Sequence, residues 1–316
     1  MIPKMAKTAA CGSFTITAGA FIVAAALSVA GCATPLKIEG SADPLAILGP
    51  GSIAYARLSG EAARELAPSA LPAAAAKALA PVLARTRAAA IGVGTFHSVD
   101  SGTPAFQACL IGDYPFRAAS LSLGADPAWK REKTGFFNAR LGLRAAIPGP
   151  NIVVASTGSL EPLIGAAKAP GFSPIPMKLE GFASSEILLW VPEPFSSLAS
   201  AFIGEGMDLP VLGLLIAADP SEGQPPASGR SYVATIVFLM RDPDSARVYR
   251  LAMRLAWFGI AHFLLGEEAE GAIGAAFTLD GDIYRASGVR ISGAALERAF
   301  GALRESLASA RGAGSG

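Results

Sequence analysis

The strongest constraint on the fold is an order of local patterns that occurs twice. From residue 52 the chain alternates short apolar or β-branched runs with Ala-rich stretches of helical spacing, and after residue 185 it does so again. Period-2 runs between turn residues read as strands, and apolar spacings of three and four read as helices. In the first half, Ser52–Leu58 predicts a strand and Glu61–Ala84 an Ala-rich helix interrupted at Pro68 and Pro72. Ala89–Phe96 and Ala105–Ile111 predict two more strands, and Phe116–Leu123 a short helix. Strands near 138–147 and 151–156 flank Pro148-Gly149-Pro150, and a helix from Ser159 to Lys168 closes the unit.

The second half repeats this order. Glu186–Val191 predicts a strand, Phe195–Ile203 a helix, and Val211–Ile216 and Tyr232–Met240 two strands. Asp242-Pro243 opens a long helix, the aspartate as N-cap and the proline at the first helical position, where its missing N–H costs nothing. Ala275–Leu279 and Ile283–Val289 form a hairpin about Asp280-Gly281, and Ser292 caps a last helix to about Ala310. Both halves therefore read strand–helix–strand–strand–helix–strand–strand–helix. This predicts an α+β fold of two tandem, related subdomains, each of ferredoxin-like split βαβ type with an extra hairpin. The expected boundaries are 51–168 and 185–311, joined by a Pro/Gly-rich linker at 169–184 and followed by a flexible tail at 312–316.

The N-terminus carries an address. Lys4 and Lys7 precede a stretch with no charged residue from Thr8 to Gly31, which ends in Leu27-Ser28-Val29-Ala30-Gly31-Cys32. A basic segment, an apolar core and small residues are the parts of a secretory signal. Val29-Ala30-Gly31-Cys32 resembles the lipobox of bacterial lipoproteins, with valine where leucine is commoner. The resemblance implies cleavage of the signal peptide 1–31 between Gly31 and Cys32, and a diacylglycerol thioether on Cys32. It implies a membrane-anchored chain of the cell envelope. Ala33, in place of aspartate after the cysteine, implies outer-membrane delivery. Residues 32–50 would be the lipidated tether. Two or more acyl chains, at about 0.8 kcal/mol per buried CH₂, anchor stably without a spanning helix.

Composition narrows the function classes. Of 316 residues only 16% are charged and the net charge is +1, so nothing suggests a polyanion partner and nucleic acid is not expected. The mean hydropathy of +0.44 implies an apolar surplus for a large core, a cleft, or a face that meets lipid or protein. Of three cysteines, Cys11 leaves with the signal and Cys32 is lipidated. Cys109 is then alone, and no internal disulfide is expected.

No motif for catalysis or cofactor binding stands out, and no cofactor is expected. Cys109 has no local basic partner to lower its pKa and reads as a strand residue of the core. His262 lies in an apolar helical run and reads as buried over most of that helix's circumference, whereas His97 follows a strand in a polar turn. Glu267, Glu268 and Glu270 read as a solvated helix end. Asp280 and Asp282 flank a turn glycine and lack the later ligands of a calcium loop. Gly92-Val93-Gly94 lacks the third glycine and the helix of a nucleotide fold, and Ser156-Thr157-Gly158-Ser159 lacks a nucleophile-elbow frame.

The aromatic residues Phe136, Phe137, Trp190, Trp257, Phe258 and Phe263 could line an apolar cleft or fill the core. The four-residue set Trp190, Trp257, Phe258 and Phe263 is the candidate cleft. The charged run Trp129-Lys130-Arg131-Glu132-Lys133 reads as a solvated loop. The expected function is a non-enzymatic binding or assembly module for a partner protein or an apolar or lipid ligand. Alternatives are an anchored hydrolase with dispersed catalytic residues and a purely structural interaction protein.

Overall fold

The computed structural model describes residues 43–70, 73–94, 105–139, 142–149, 151–194, 209–222, 230–266, 274–296 and 298. His97, Cys32, Gly31 and the Glu267/Glu268/Glu270 cluster lie outside them, as does the helix expected at 195–203. Among the described residues, twelve strands form one sheet in the order β11-β12-β10-β9-β8-β1-β2-β3-β7-β6-β5-β4. Their ranges are β1 Ser52–Ser59, β2 Thr86–Gly94, β3 Ala105–Gly112, β4 Lys130–Glu132, β5 Gly135–Asn138 and β6 Leu143–Gly149. Then come β7 Ile152–Ser156, β8 Ile187–Pro192, β9 Val211–Pro220, β10 Ser231–Met240, β11 Ala276–Asp280 and β12 Ile283–Ser292.

The repeated order is visible in the sheet. Counted outward from the junction of β1 with β8, one side runs β1-β2-β3-β7-β6 and the other β8-β9-β10-β12-β11. The hairpin partner β4–β5 is an addition at the outer edge of the first side. It falls in the segment read from sequence as a charged loop, because three charged residues at an edge have no apolar alternation to report. The split βαβ expectation is corrected. That unit inserts a third strand between the two strands that its helix connects, whereas here β1 and β2, the strands on either side of the helices at 60–83, pair directly and antiparallel, as β8 and β9 do. The two halves also share one sheet, because β1 and β8 pair from Tyr55↔Trp190 to Leu58↔Ile187.

Alternation along the strands supplies two faces. On one, Tyr55, Leu188, Trp190, Leu215, Val237, Cys109 and Val154 form a core that runs across both halves. It is roofed by α4 (Glu161–Lys168) and by two segments that the sequence reads as a tether and a linker. In the expected tether, Asp43 caps a 3₁₀ turn at Pro44–Ile47, and Leu45, Ile47 and Leu48 are almost wholly buried. In the expected linker, Ile175 and Leu179 enter the same core around a second turn at Met177–Phe182. The chain is therefore folded from Asp43, and 169–184 is a structural layer. Proline and glycine mark irregular backbone, not solvent exposure.

The opposite face is covered by helices. These are α1 (Gly60–Ala70) and α2 (Ala73–Leu83), then α3 (Phe116–Ala125), α5 (Pro243–Val248) and α6 (Arg250–Leu265). Asp242 caps α5 by accepting from the Ser245 N–H at 2.7 Å, as its position before a proline predicts. The core here has two parts. Trp257, Met253, Tyr232, Phe238 and Tyr284 pack under α5–α6 and α1, and Val82, Tyr114, Leu123, Trp129 and Leu143 under α2 and α3. In β12 the register slips at Gly288, whose φ is +78°. That bulge keeps Tyr284 and Ala286 before it, and Val289 and Ile291 after it, on one face.

Candidate functional site

The four residues of the candidate cleft do not converge. Trp190 is buried on the face roofed by α4, and Trp257 on the opposite face beneath α6. Neighbouring positions of a strand point to opposite sides of a sheet, and the strand that carries Trp190 separates the two rings. Both are core residues, 3% and 1% exposed. Gly213 accommodates the Trp190 ring closely: a Cβ there would lie 1.9 Å from its nearest carbon. Phe258 is half-buried and meets Phe277 edge-on at 6.5 Å; the Phe263 side chain lies outside the described residues. Phe136 and Phe137 also point to opposite faces, the second beneath the Arg144 guanidinium at 4.6 Å.

Cys109 is fully buried, and burial pushes its thiol up to about 12, so it stays protonated at neutral pH. Asp280-Gly281-Asp282 is a hairpin turn with Gly281 at φ +58°. Asp282 pairs there with Lys178. Gly92 and Gly94 lie inside β2, where a Cβ would strike Ser52 and the backbone at Gly51. Their role is close strand approach. Among the described residues no group of histidine, cysteine and carboxylate side chains is placed to hold a metal.

Three places are candidates for interaction. The first is a shallow depression at the strand ends beside the β1–β8 junction, lined by Ser59, Glu61, Arg64, Arg85, Arg87 and Glu186, among others. Arg230 on its margin binds Glu61 at 2.6 Å and Glu186 at 2.9 Å, with Glu65 at 3.8 Å. Ser59 donates to the same Glu186 carboxylate at 2.9 Å, and the Tyr232 hydroxyl donates to Glu65 at 2.9 Å. The hydrogen bond from Arg230 holds the Glu61 carboxyl below its ordinary pKa. Arg87 pairs with Asp113 at 2.6 Å. These pairs satisfy one another and tie α1, β8 and β10 together. They form a clamp between the halves more than a receptor for an ion.

The second place is the outer surface of α5–α6. Met253, Trp257 and Ala261, four apart, face the sheet and are 0–1% exposed. Val248, Leu251 and Leu255 on the other side are 76%, 70% and 62% exposed. The exposed Arg250 stands next to this apolar strip, and Arg254 lies over the Phe277 ring at 5.0 Å. His262 is also exposed, a correction to its expected burial. The helix touches the sheet with one face only, because no further layer lies over it among the described residues. Scattered exposed apolar residues are ordinary, but aligned ones mark an interaction surface. Hydrophobic content alone could not separate this strip from the core, since both show helical spacing.

The third place is a pair of buried polar side chains. Trp129 and Asn138 are 4% and 0% exposed. Among the described residues, the Trp129 indole nitrogen and both polar atoms of the Asn138 amide have no hydrogen-bond partner. Each unmatched buried polar group costs about 1–3 kcal/mol. No sequence motif marks them: one ends a charged run and the other follows Phe136-Phe137.

This architecture defines a mixed α/β protein dominated by a single antiparallel sheet. Solved structures of a protein called TP0453 share it. Crystal form I superposes with a TM-score of 0.58 at 15% identity, covering 84% of this chain and all of that one. Forms III and IV give 0.56 at 16% identity over 82% and 84% of this chain, and 98% and 97% of theirs. At this identity the likeness is one of fold. No family model matches the sequence, and no curated protein matches it.

Proposed function

We propose that the chain is a membrane-anchored bacterial envelope lipoprotein, tethered through Cys32, that acts without catalysis by binding an apolar surface through α5–α6. The observation that carries this is the row Val248, Leu251 and Leu255, exposed along α5–α6, whose other side, with Met253, Trp257 and Ala261, packs on the sheet. Burying one leucine or valine side chain from water gains about 1.5–3 kcal/mol. Three of them outweigh the ~1 kcal/mol that each arginine adds beside an anionic bilayer. The lipobox-type segment at Val29-Ala30-Gly31-Cys32 supports a location where such a surface, the membrane itself, is always near. No helix among the described residues is long and apolar enough to span a bilayer; the fold fits a protein that lies on one. The matching strand orders of the two halves further support the reading that they arose by duplication of one unit.

Two measurements test this. Incorporation of labelled palmitate should disappear in Cys32→Ala, and persistence would overturn the anchor. The chain from Ala33 onward, without its lipid, should float with vesicles containing anionic phospholipid. Leu251→Glu with Leu255→Glu should stop flotation while the fold persists. Flotation unchanged by that double substitution would remove α6 as the binding face.

A further inference from the structure

The exposed apolar strip on α5–α6 carries charge along one flank only. Val248, Leu251, Leu255 and the exposed Gly259 follow one another at helical spacing, and Arg247, Arg250 and Arg254 form a second exposed row beside them. On the other flank Ala252 and Ala256 are small and half-buried. The three arginines are not alike. Arg247 pairs with Asp244 at 3.1 Å, one turn back. Among the described residues, Arg250 and Arg254 have no carboxylate within ion-pair distance, and no acidic residue stands in the first turn of α6.

Aromatic rings fix the position of this pair. Arg254 lies over Phe277 at 5.0 Å and Phe258 at 5.9 Å, and Phe277 stacks on Tyr284 at 5.8 Å. A guanidinium over a ring is held by the ring's quadrupole while its N–H groups remain free at the edge. Burial raises the pKa of the Tyr284 hydroxyl, and the charges of Arg254 and Arg250 oppose that rise, so both guanidiniums stand near one phenol. Like charges one turn apart repel each other. Packing on the rings accounts for the stem of Arg254, but not for a second charge beside it or for the missing counter-charge. An anion bound from outside accounts for both.

We propose that Arg250 and Arg254 make the α5–α6 surface selective for anionic phospholipid, the two guanidiniums bracketing the lipid phosphate while Val248, Leu251 and Leu255 enter the acyl region. This rests on the membrane reading of that surface and adds which lipids it selects. A helix lying in the interface turns its apolar side toward the acyl chains and holds its flank at headgroup depth, where the arginine row runs. A guanidinium donates two parallel N–H bonds to phosphate oxygens, a geometry that a single ammonium does not offer. Selection follows from the rest of the headgroup. In phosphatidylcholine the choline cation already balances the phosphate, whereas in phosphatidylglycerol nothing does. Free phosphate would meet the same guanidiniums but would leave the exposed leucines in water.

Flotation of the chain from Ala33 onward with two kinds of vesicle tests this: phosphatidylcholine alone, and phosphatidylcholine mixed with phosphatidylglycerol. The protein should partition more strongly to the mixed vesicles, and added salt should narrow the difference. Arg250→Gln with Arg254→Gln should lower partition to the mixed vesicles about thirtyfold, about fivefold for each charge. The same variant should keep its partition to phosphatidylcholine and a Tm close to that of the unsubstituted protein, which shows that it is folded. Arg250→Lys with Arg254→Lys should recover most of the loss, because the charge returns. Leu251→Glu with Leu255→Glu should remove partition to both kinds of vesicle. Equal partition of the unsubstituted protein to both kinds, or a glutamine variant that still prefers the mixed vesicles, would overturn the selectivity and leave the membrane reading standing. Competition by inorganic phosphate beyond that of chloride at equal ionic strength would assign the pair to a free anion instead. No partition of the unsubstituted protein to either kind would remove the membrane reading and this assignment together.

Discussion

The two halves of the sheet repeat five strands in the same order and differ in what covers their outer ends. Beyond β3 the first half places the short α3 and the extra hairpin β4–β5; beyond β10 the second places α5–α6. Under α6 the packing is dense: Trp257, Met253 and Ala246 are buried, and Phe277 stacks on Tyr284 at 5.8 Å. Under α3 two buried polar side chains, Trp129 and Asn138, have no partner among the described residues. The inner strands of both halves contribute to one continuous core, so the two halves resemble each other most near the junction and differ at the edges. The second half carries an outer helix with an exposed apolar side. The first carries a smaller outer helix above buried polar side chains.

Substitutions can break this comparison, and the largest effect is expected beneath α6. Trp257→Ala should lower stability by about 3–5 kcal/mol in a denaturant titration, through lost burial and a cavity. Leu123→Ala beneath α3 should fall at or below the low end of the 2–5 kcal/mol usual for such truncations. Equal losses would mean that α3 is as firmly seated as α6. Next comes the shared core: Gly213→Val should cost about 1–3 kcal/mol, because its side chain enters the space of the Trp190 ring.

The clamp between the halves should count for less. Arg230→Met should cost about 1 kcal/mol, since its side chain is 39% exposed and solvent screens its pairs. Its pH dependence has a definite sign. The Glu61 carboxyl is held low in the folded state, so its contribution is present above the ordinary carboxylate range and fades as pH falls through the lowered value. In Arg230→Met the acid limb of a stability–pH curve should be shallower. Smallest of all, Leu251→Glu should change stability by no more than about 0.5 kcal/mol, as an exposed position does, despite its effect on flotation. Cys109, in the core common to both halves, should resist alkylation at pH 8 until the chain unfolds. Rapid labelling would mean that this core opens locally.

Much of the molecule was legible locally. The order of elements, the Asp242-Pro243 cap, the turn at Asp280-Gly281 and the strand at Tyr232–Met240 are written in neighbouring residues, because caps, turns and alternation act over a few positions. The matching strand order of the two halves was legible for the same reason. Partnership between distant residues was not. Trp190 and Trp257 look equivalent in sequence, and only the strand between them decides that they face opposite layers. The tether and the linker read as connections punctuated by glycine and proline, but Leu45, Ile47, Leu48, Ile175 and Leu179 find a core that distant strands build.

The sequence by itself determined most of the strands and helices among the described residues and where they turn, β4–β5 excepted, since these depend on backbone preferences and short-range periodicity. The tertiary structure decided that both halves share one antiparallel sheet, that α6 keeps an exposed apolar side, and that Trp129 and Asn138 are buried. Pairing and burial are set by contacts between residues far apart in the chain, and no local pattern encodes which strand lies beside which.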